Sequence, residues 1–153
     1  MAEFSNQEKA LLRMIQADAA LSLSALAEQV GMAQSTVWRK LQEFDARGLI
    51  RGRVALLDPA QAGARLCVLA SVSLHDHDEE AVAGFAGLIR RLPEVLECHS
   101  VSGNADYILK IRCHDVEAYE AFMTRHLLRS PFVRSVVSSF VLKEIKSTTA
   151  LPL

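Results

Sequence analysis

The residues with the most chemical content in this 153-residue chain fall in two places. One is Ser102-Gly103-Asn104-Ala105-Asp106-Tyr107, set between the apolar runs VLECHSV and ILKIRC. Gly103 and Asn104 suit the backbone angles of a tight turn. A hairpin demands neither the Asp106 carboxylate nor the Ser102 hydroxyl. A carboxylate can hold an ammonium group, and the backbone N–H groups of a Gly-rich turn can hold a carboxylate, so the stretch has chemistry for both ends of a free amino acid. Equally, Asp106 can cap the turn or pair with an arginine. The other place is Gln34 to Gln42. Read at about 100° per residue, Val37, Leu41 and Phe44 share one side, joined by Ala33, while Arg39 centres the opposite side with Ser35 beside it. Gln42 and Trp38 flank it on one edge, Thr36, Glu43 and Lys40 on the other. Ser and Gln bond base edges, Arg bonds guanine in two places, and Lys neutralises phosphate. Trp38 sits at the border, where packing against a following wing competes with touching DNA.

Two further groups invite a reading and do not sustain it. His75-Asp76-His77-Asp78 alternates possible metal ligands, but no third ligand is near and Asp78 serves as a helix cap, so a solvated loop is expected and no metal. Cys98-His99 and Cys113-His114 lack the oriented base and pocket that a thiol nucleophile needs. Cysteines in strands are usually small core residues.

These residues need elements to position them. Ser5 and Glu8 form an S-x-x-E capping box before Leu11, Leu12 and Ile15. Ser22 opens a short second helix with Leu26 and Val30 on one face, stopped by Gly31. The third helix, AQSTVWRKLQEFDAR, stops at Gly48. Three short helices with a Gly-containing turn between the last two make a helix-turn-helix pattern. LIRGRVALLDP is β-rich and reads as a hairpin wing and a connecting strand, broken by Pro59. Beyond it the order is strand (RLCVLASVSL), helix capped by Asp78, strand, the Ser102–Tyr107 turn, strand, helix opened by Asp115, and strand (FVRSVVSSFVLKEI). This β-α-β-β-α-β order is the ferredoxin-like arrangement. Its two helices cover one sheet face, and the other, expected to be rich in Val, Leu and Ile, needs a partner. The expected division is 1–53 for the DNA-binding domain, 54–64 for the linker and 65–153 for the second domain.

The overall charge of -1 does not announce nucleic acid, and the distribution matters more than the total. Within Gln34 to Arg53, five cations (Arg39, Lys40, Arg47, Arg51, Arg53) face two anions (Glu43, Asp45), a local basic patch. Three separated cysteines with no C-x-x-C pair argue against zinc, and an odd number without a signal peptide fits a reducing cytoplasm. No apolar run approaches the roughly 18 residues of a membrane span.

The stretch LSLSALAEQVGMAQSTVWRKLQEFDARGLIRGRVALLDP resembles the DNA-binding half of the Lrp/AsnC family of transcription regulators. LPEVLECHSVSGNADYILKI and VSSFVLKEIKSTTALPL resemble its amino-acid-responsive half. The resemblance implies an α+β protein in which a winged helix-turn-helix is joined by a strand to a ferredoxin-like sensor. It implies dimers that commonly assemble into octamers, double-stranded DNA as a partner, and an amino-acid effector between subunits rather than a cofactor. DNA contact then falls to Gln34, Ser35, Thr36, Trp38, Arg39, Lys40 and Gln42. The effector falls to Ser102, Gly103, Asn104, Ala105, Asp106 and the facing Ser138, where the family often has Thr. The tail IKSTTALPL resembles members that answer to leucine, methionine or cysteine, so an apolar or sulfur-containing effector is expected. The family usually has Ser where Ala33 stands, so a helix cap is missing here. Two other readings stay beside this one: an architectural protein that binds DNA broadly without an effector, and a tetrapyrrole enzyme akin to the sirohaem decarboxylases. The second is disfavoured because Arg39 and Lys40 keep the helix basic and Cys98-His99-Ser100 stands where those enzymes carry a His-Asn-Tyr-like stretch.

Overall fold

In a computed structural model describing residues 4–153, the chain forms two compact units. One comprises Met1–Ala55 together with Ile145–Leu153, the other Leu56–Glu144. The last residues, expected to continue the second domain, thus group with the helical unit.

In the first unit, α1 (Asn6–Ala17), α2 (Leu23–Val30) and α3 (Gln34–Ala46) follow the expected order. The Ser5 side chain accepts from Glu8 N–H while Glu8 accepts from Ser5 N–H, so the expected capping box forms. Ser22 caps α2 through Ala25 N–H. Gly31 ends α2 at φ 64°, the left-handed conformation that lets the chain turn into α3. Leu11, Leu12, Leu26, Ala27, Val30, Val37 and Phe44 form the core, with Phe4 packed edge-on against Phe44. Leu153 joins this core from the far end of the chain, and Arg13 Nε donates to its carbonyl at 2.9 Å.

Ala33, expected on the packed side of α3, is exposed, and the helix begins with no side-chain cap. Being the N-cap, it precedes the helical geometry on which the wheel rests. Neither Gln34 nor Ser35 makes up the missing bond. Ala33→Ser should therefore stabilise the protein by about 1 kcal/mol, read as a higher urea midpoint at unchanged slope. An unchanged midpoint would mean that the N-terminal amides of α3 already have adequate partners.

Arg51 to Asp58, expected as wing and connecting strand, has no strand pairing among the described residues. Extended backbone becomes a strand only beside a partner, and among the described residues none lies alongside. Val54, Leu56 and Leu57 are 75–80% exposed.

In the second unit, β1 (Leu66–Leu74), α4 (Glu79–Ile89), β2 (Val95–Ser100), β3 (Tyr107–Cys113), α5 (Val116–Phe122) and β4 (Val133–Phe140) appear in the expected order. The α5 helix continues as a π-helical turn, Met123–Leu128. The sheet is antiparallel, in the order β2-β3-β1-β4. Asp78 and Asp115 cap α4 and α5. Val68, Ala70, Val72 and Leu74 of β1 and Leu109, Ile111 and Cys113 of β3 are packed with Phe85, Ile89, Tyr119, Phe122 and Leu127. Strand alternation puts Leu69, Ser71 and Ser73 of β1, Ile108 of β3, and Ser135 and Val137 of β4 on the opposite face. That face is less apolar than expected, because serines share it with Leu69, Ile108 and Val137.

Candidate functional site

The outer face of α3 carries the basic patch. Gln34, Ser35, Trp38, Arg39 and Gln42 are exposed, and Thr36 is half-buried. Trp38 is 56% exposed and stands outside the core, so with no wing strand to pack on it lies on the same surface as Arg39. Lys40 is different. Its ammonium lies 2.7 Å from Glu8 and 3.5 Å from Glu43, half-buried between α1 and α3. It fastens α3 to the capping box of α1, so its ammonium, expected to meet phosphate, already has two carboxylate partners. Arg47 and Arg53 pair with Glu43 and Asp45. Among the described residues Arg39 and Arg51 have no such partner, so the patch presents fewer available cations than its sequence count.

The Lys40 ion pair sets a pH dependence. Lys40's hydrogen bond, together with that of Ser5 N–H, holds the Glu8 carboxyl down at about 2, against an ordinary 4.5. A carboxyl depressed by folding contributes stability at pH above its unfolded value, and that contribution is lost as pH falls through the folded one. Wild type should therefore lose stability between about pH 4.5 and 2 more steeply than Glu8→Gln, whose side chain does not ionise. Parallel acid-unfolding curves for the two proteins would contradict the pairing.

The Ser102–Tyr107 stretch is the β2–β3 connection, with Gly103 at φ 128°, a conformation few side chains tolerate. Asp106 ties the turn to the end of β1. Its N–H donates to Val72 C=O at 3.0 Å, and one carboxylate oxygen accepts from Leu74 N–H at 2.8 Å. The other oxygen lies 2.8 Å from His77 Nε2. The Leu74 amide first, then His77 and the nearby charge of Arg134, hold the Asp106 carboxyl below the usual aspartate range. The side chain remains 27% exposed and that of His77 is 63% exposed. The expected solvated loop His75–Asp78 thus contributes one partner to the turn.

Ser102, Asn104 and Ala105 line an open cleft of about 500 Å³ on the helix-free face of the sheet. Its remaining walls are Ser71, Ser73, Ser135, Val101, Ile108 and Val137. Asp106 does not line this cleft. Ser138, expected opposite the turn, points the other way: it pairs with Ala70, whose side chain is in the helix-covered core, and its hydroxyl lies 2.6 Å from Tyr119 Oη. The strand positions that do reach the cleft are Ser135 and Val137. Ser71 and Ser73, which sequence reasoning missed, were signalled by their alternation in LASVSL, since every second residue of a strand shares a face. Cys67 and Cys113 are buried, as cysteines in strands usually are, and Cys98 is exposed on an edge strand.

Comparison with known proteins extends over both units. Residues 67–151 match the Lrp/AsnC ligand binding domain family, and residues 5–51 match a winged helix-turn-helix DNA-binding family. Among curated proteins, the DNA-binding transcriptional activator DecR of Escherichia coli is 34% identical over 95% of this chain and 96% of its own. The Bkd operon transcriptional regulator of Pseudomonas aeruginosa is 33% identical over the full length of both. Among solved structures, a transcriptional regulator from Neisseria meningitidis, determined as a complex with L-Met, superposes with a TM-score of 0.94 at 33% identity over 98% of this chain and 97% of its own. The exposed polar face of α3, the antiparallel sensor sheet and these matches over both units lead to one conclusion: the chain belongs to the Lrp/AsnC family of DNA-binding transcription regulators.

Proposed function

We propose that this regulator reads DNA through the Ser35–Arg39–Gln42 face of α3 and is tuned by an amino acid bound at the Ser102–Asp106 turn. The observation that carries the second part is the Asp106 carboxylate: one oxygen is held by Leu74 N–H, the other only by an exposed imidazole. An effector's ammonium group takes the place of His77 on that oxygen, and the backbone N–H groups around Gly103 and Asn104 hold its carboxylate. Ser138 has no part in this reading. The adjoining cleft has apolar walls in Val101, Ile108 and Val137 and no charged side chain, which favours an apolar or sulfur-containing amino acid. The L-Met bound to the Neisseria regulator fits that choice.

Self-association completes the reading. Val54, Leu56 and Leu57 stand exposed on unpaired extended backbone, and Leu69, Ile108 and Val137 lie on an uncovered sheet face. A second copy would satisfy both, pairing the backbone and covering the sheet. Light scattering should show dimers or octamers at micromolar concentration, and a folded species at the chain mass of 16.8 kDa would contradict this. The protein acts in the cytoplasm, where its DNA is. Among the described residues no helix is long and apolar enough to cross a membrane.

A thermal-shift screen against each common amino acid tests the effector proposal. A ligand at 100 times its dissociation constant adds about 2.7 kcal/mol per site, a clear shift. No shift with any amino acid would favour an architectural protein without an effector.

A further inference from the structure

On the helix-covered side of the sensor unit, a cleft of about 250 Å³ lies between α4 and the π-helical turn. Arg91, just beyond α4, lines it together with Arg125 and His126 of the turn and Arg129, the residue that ends it. No carboxylate lines the cleft, and among the described residues none of these four side chains is in an ion pair. Among the described residues Arg39 and Arg51 also stand outside the ion pairs, so what sets this place apart is the convergence of four such side chains on one concavity.

Cations near helix C-termini are favoured by the helix dipole, at about 0.3–1 kcal/mol each. That accounts for a basic residue at each of the two helix ends. It does not account for three guanidinium groups and an imidazole converging on one concavity, an arrangement that an entering anion would stabilise. Two further features belong to the same spot. The π-helix is rare and occurs mostly as single turns, frequently at functional sites. Here it carries Arg125 and His126. The Phe132 ring lies so close to α4 at Gly84 that a Cβ there would overlap it, which gives the cleft an apolar floor under a cationic rim.

We propose that this cleft binds a small polyanion of the phosphate class, distinct from the amino-acid effector at the turn. Guanidinium forks match phosphate oxygens bidentately. Three of them call for more than the single charge of a monocarboxylate. A concavity of this volume accepts a phosphate or diphosphate group, whereas a DNA duplex presents a convex backbone to a broader surface.

The test uses inorganic pyrophosphate, titrated into the full-length protein at constant ionic strength, read by calorimetry and by the His126 ring resonances. Saturable binding at one site per chain with a shift of the His126 signals is expected. Arg125→Gln should weaken binding about tenfold, the equivalent of one charge-assisted hydrogen bond. Arg90→Gln, at an exposed arginine outside the cleft, should bind like wild type, and so should Asp106→Asn, which separates this site from the effector turn. Binding that never saturates, or an unmoved His126 signal, overturns the proposal, and the second is read on wild type without any substitution. Displacement of pyrophosphate by random duplex DNA would also overturn it, reassigning the cleft to the DNA backbone.

Discussion

Asp106→Asn should leave the regulator able to bind its operator but deaf to its amino acid. The substitution keeps an oxygen for Leu74 N–H, which the wild-type carboxylate accepts at 2.8 Å, and removes the charge that an ammonium group would meet. Removing one member of a desolvated charge pair costs about 2–5 kcal/mol, so effector affinity should fall by about 30-fold at the least. Asp106→Ala should lose the response as well. It also strands the Leu74 amide, adding a stability loss of about 1–3 kcal/mol to the extent that amide is shielded from water. Measuring Asn and Ala variants together separates binding from folding. His77→Ala is the complementary case: it frees the second carboxylate oxygen, so effector affinity should hold or rise. An Asp106→Asn protein that answers the amino acid like wild type would reduce the turn to a hairpin tip.

Arg39→Ala should weaken operator binding by about 1–3 kcal/mol if Arg39 reads a base, with discrimination relaxed at one position of the site. Arg39 is exposed and, among the described residues, unpaired, so its loss leaves no orphaned partner and should not disturb the fold. If it meets only phosphate, binding should weaken equally on all sequences and the salt dependence should become shallower. Lys40→Ala makes a contrast. Its ammonium is engaged by Glu8, so its loss should appear mainly as reduced stability of the helical unit. Unchanged operator affinity in a folded Arg39→Ala protein would sink the assignment of this face.

What the sequence made legible was local. Ser5, Ser22, Asp78 and Asp115 each cap the helix that their position announced, because a cap is a relation between residues three apart. The β-α-β-β-α-β order of elements in the second unit followed from the change of hydrophobic period along the chain. What stayed hidden depends on distant pairing. Lys40 and Glu8 are separated by 32 residues, and nothing in the spacing says that they meet. The facing of Ser138 depends on register: an offset of one residue exchanges the faces of a strand, and only its pairing with Ala70 fixes it toward Tyr119. The return of Leu151 and Leu153 to α1 rests on hydrogen bonds to Gln16 and Arg13 and on the packing of Leu153, with no sequence motif behind them. The linker departs from expectation for a third reason: a β-rich sequence is not a strand until another strand lies beside it.

In the proposed function, DNA affinity is coupled to an amino acid at the turn. The most direct test titrates the wild-type protein onto its native operator and onto random duplex of equal length, at one salt concentration, with and without the amino acid found in the screen. Tighter binding to the operator than to random DNA is expected, with an effector-dependent change of operator affinity that Asp106→Asn abolishes. Equal affinity for both duplexes, unmoved by the amino acid, would contradict it.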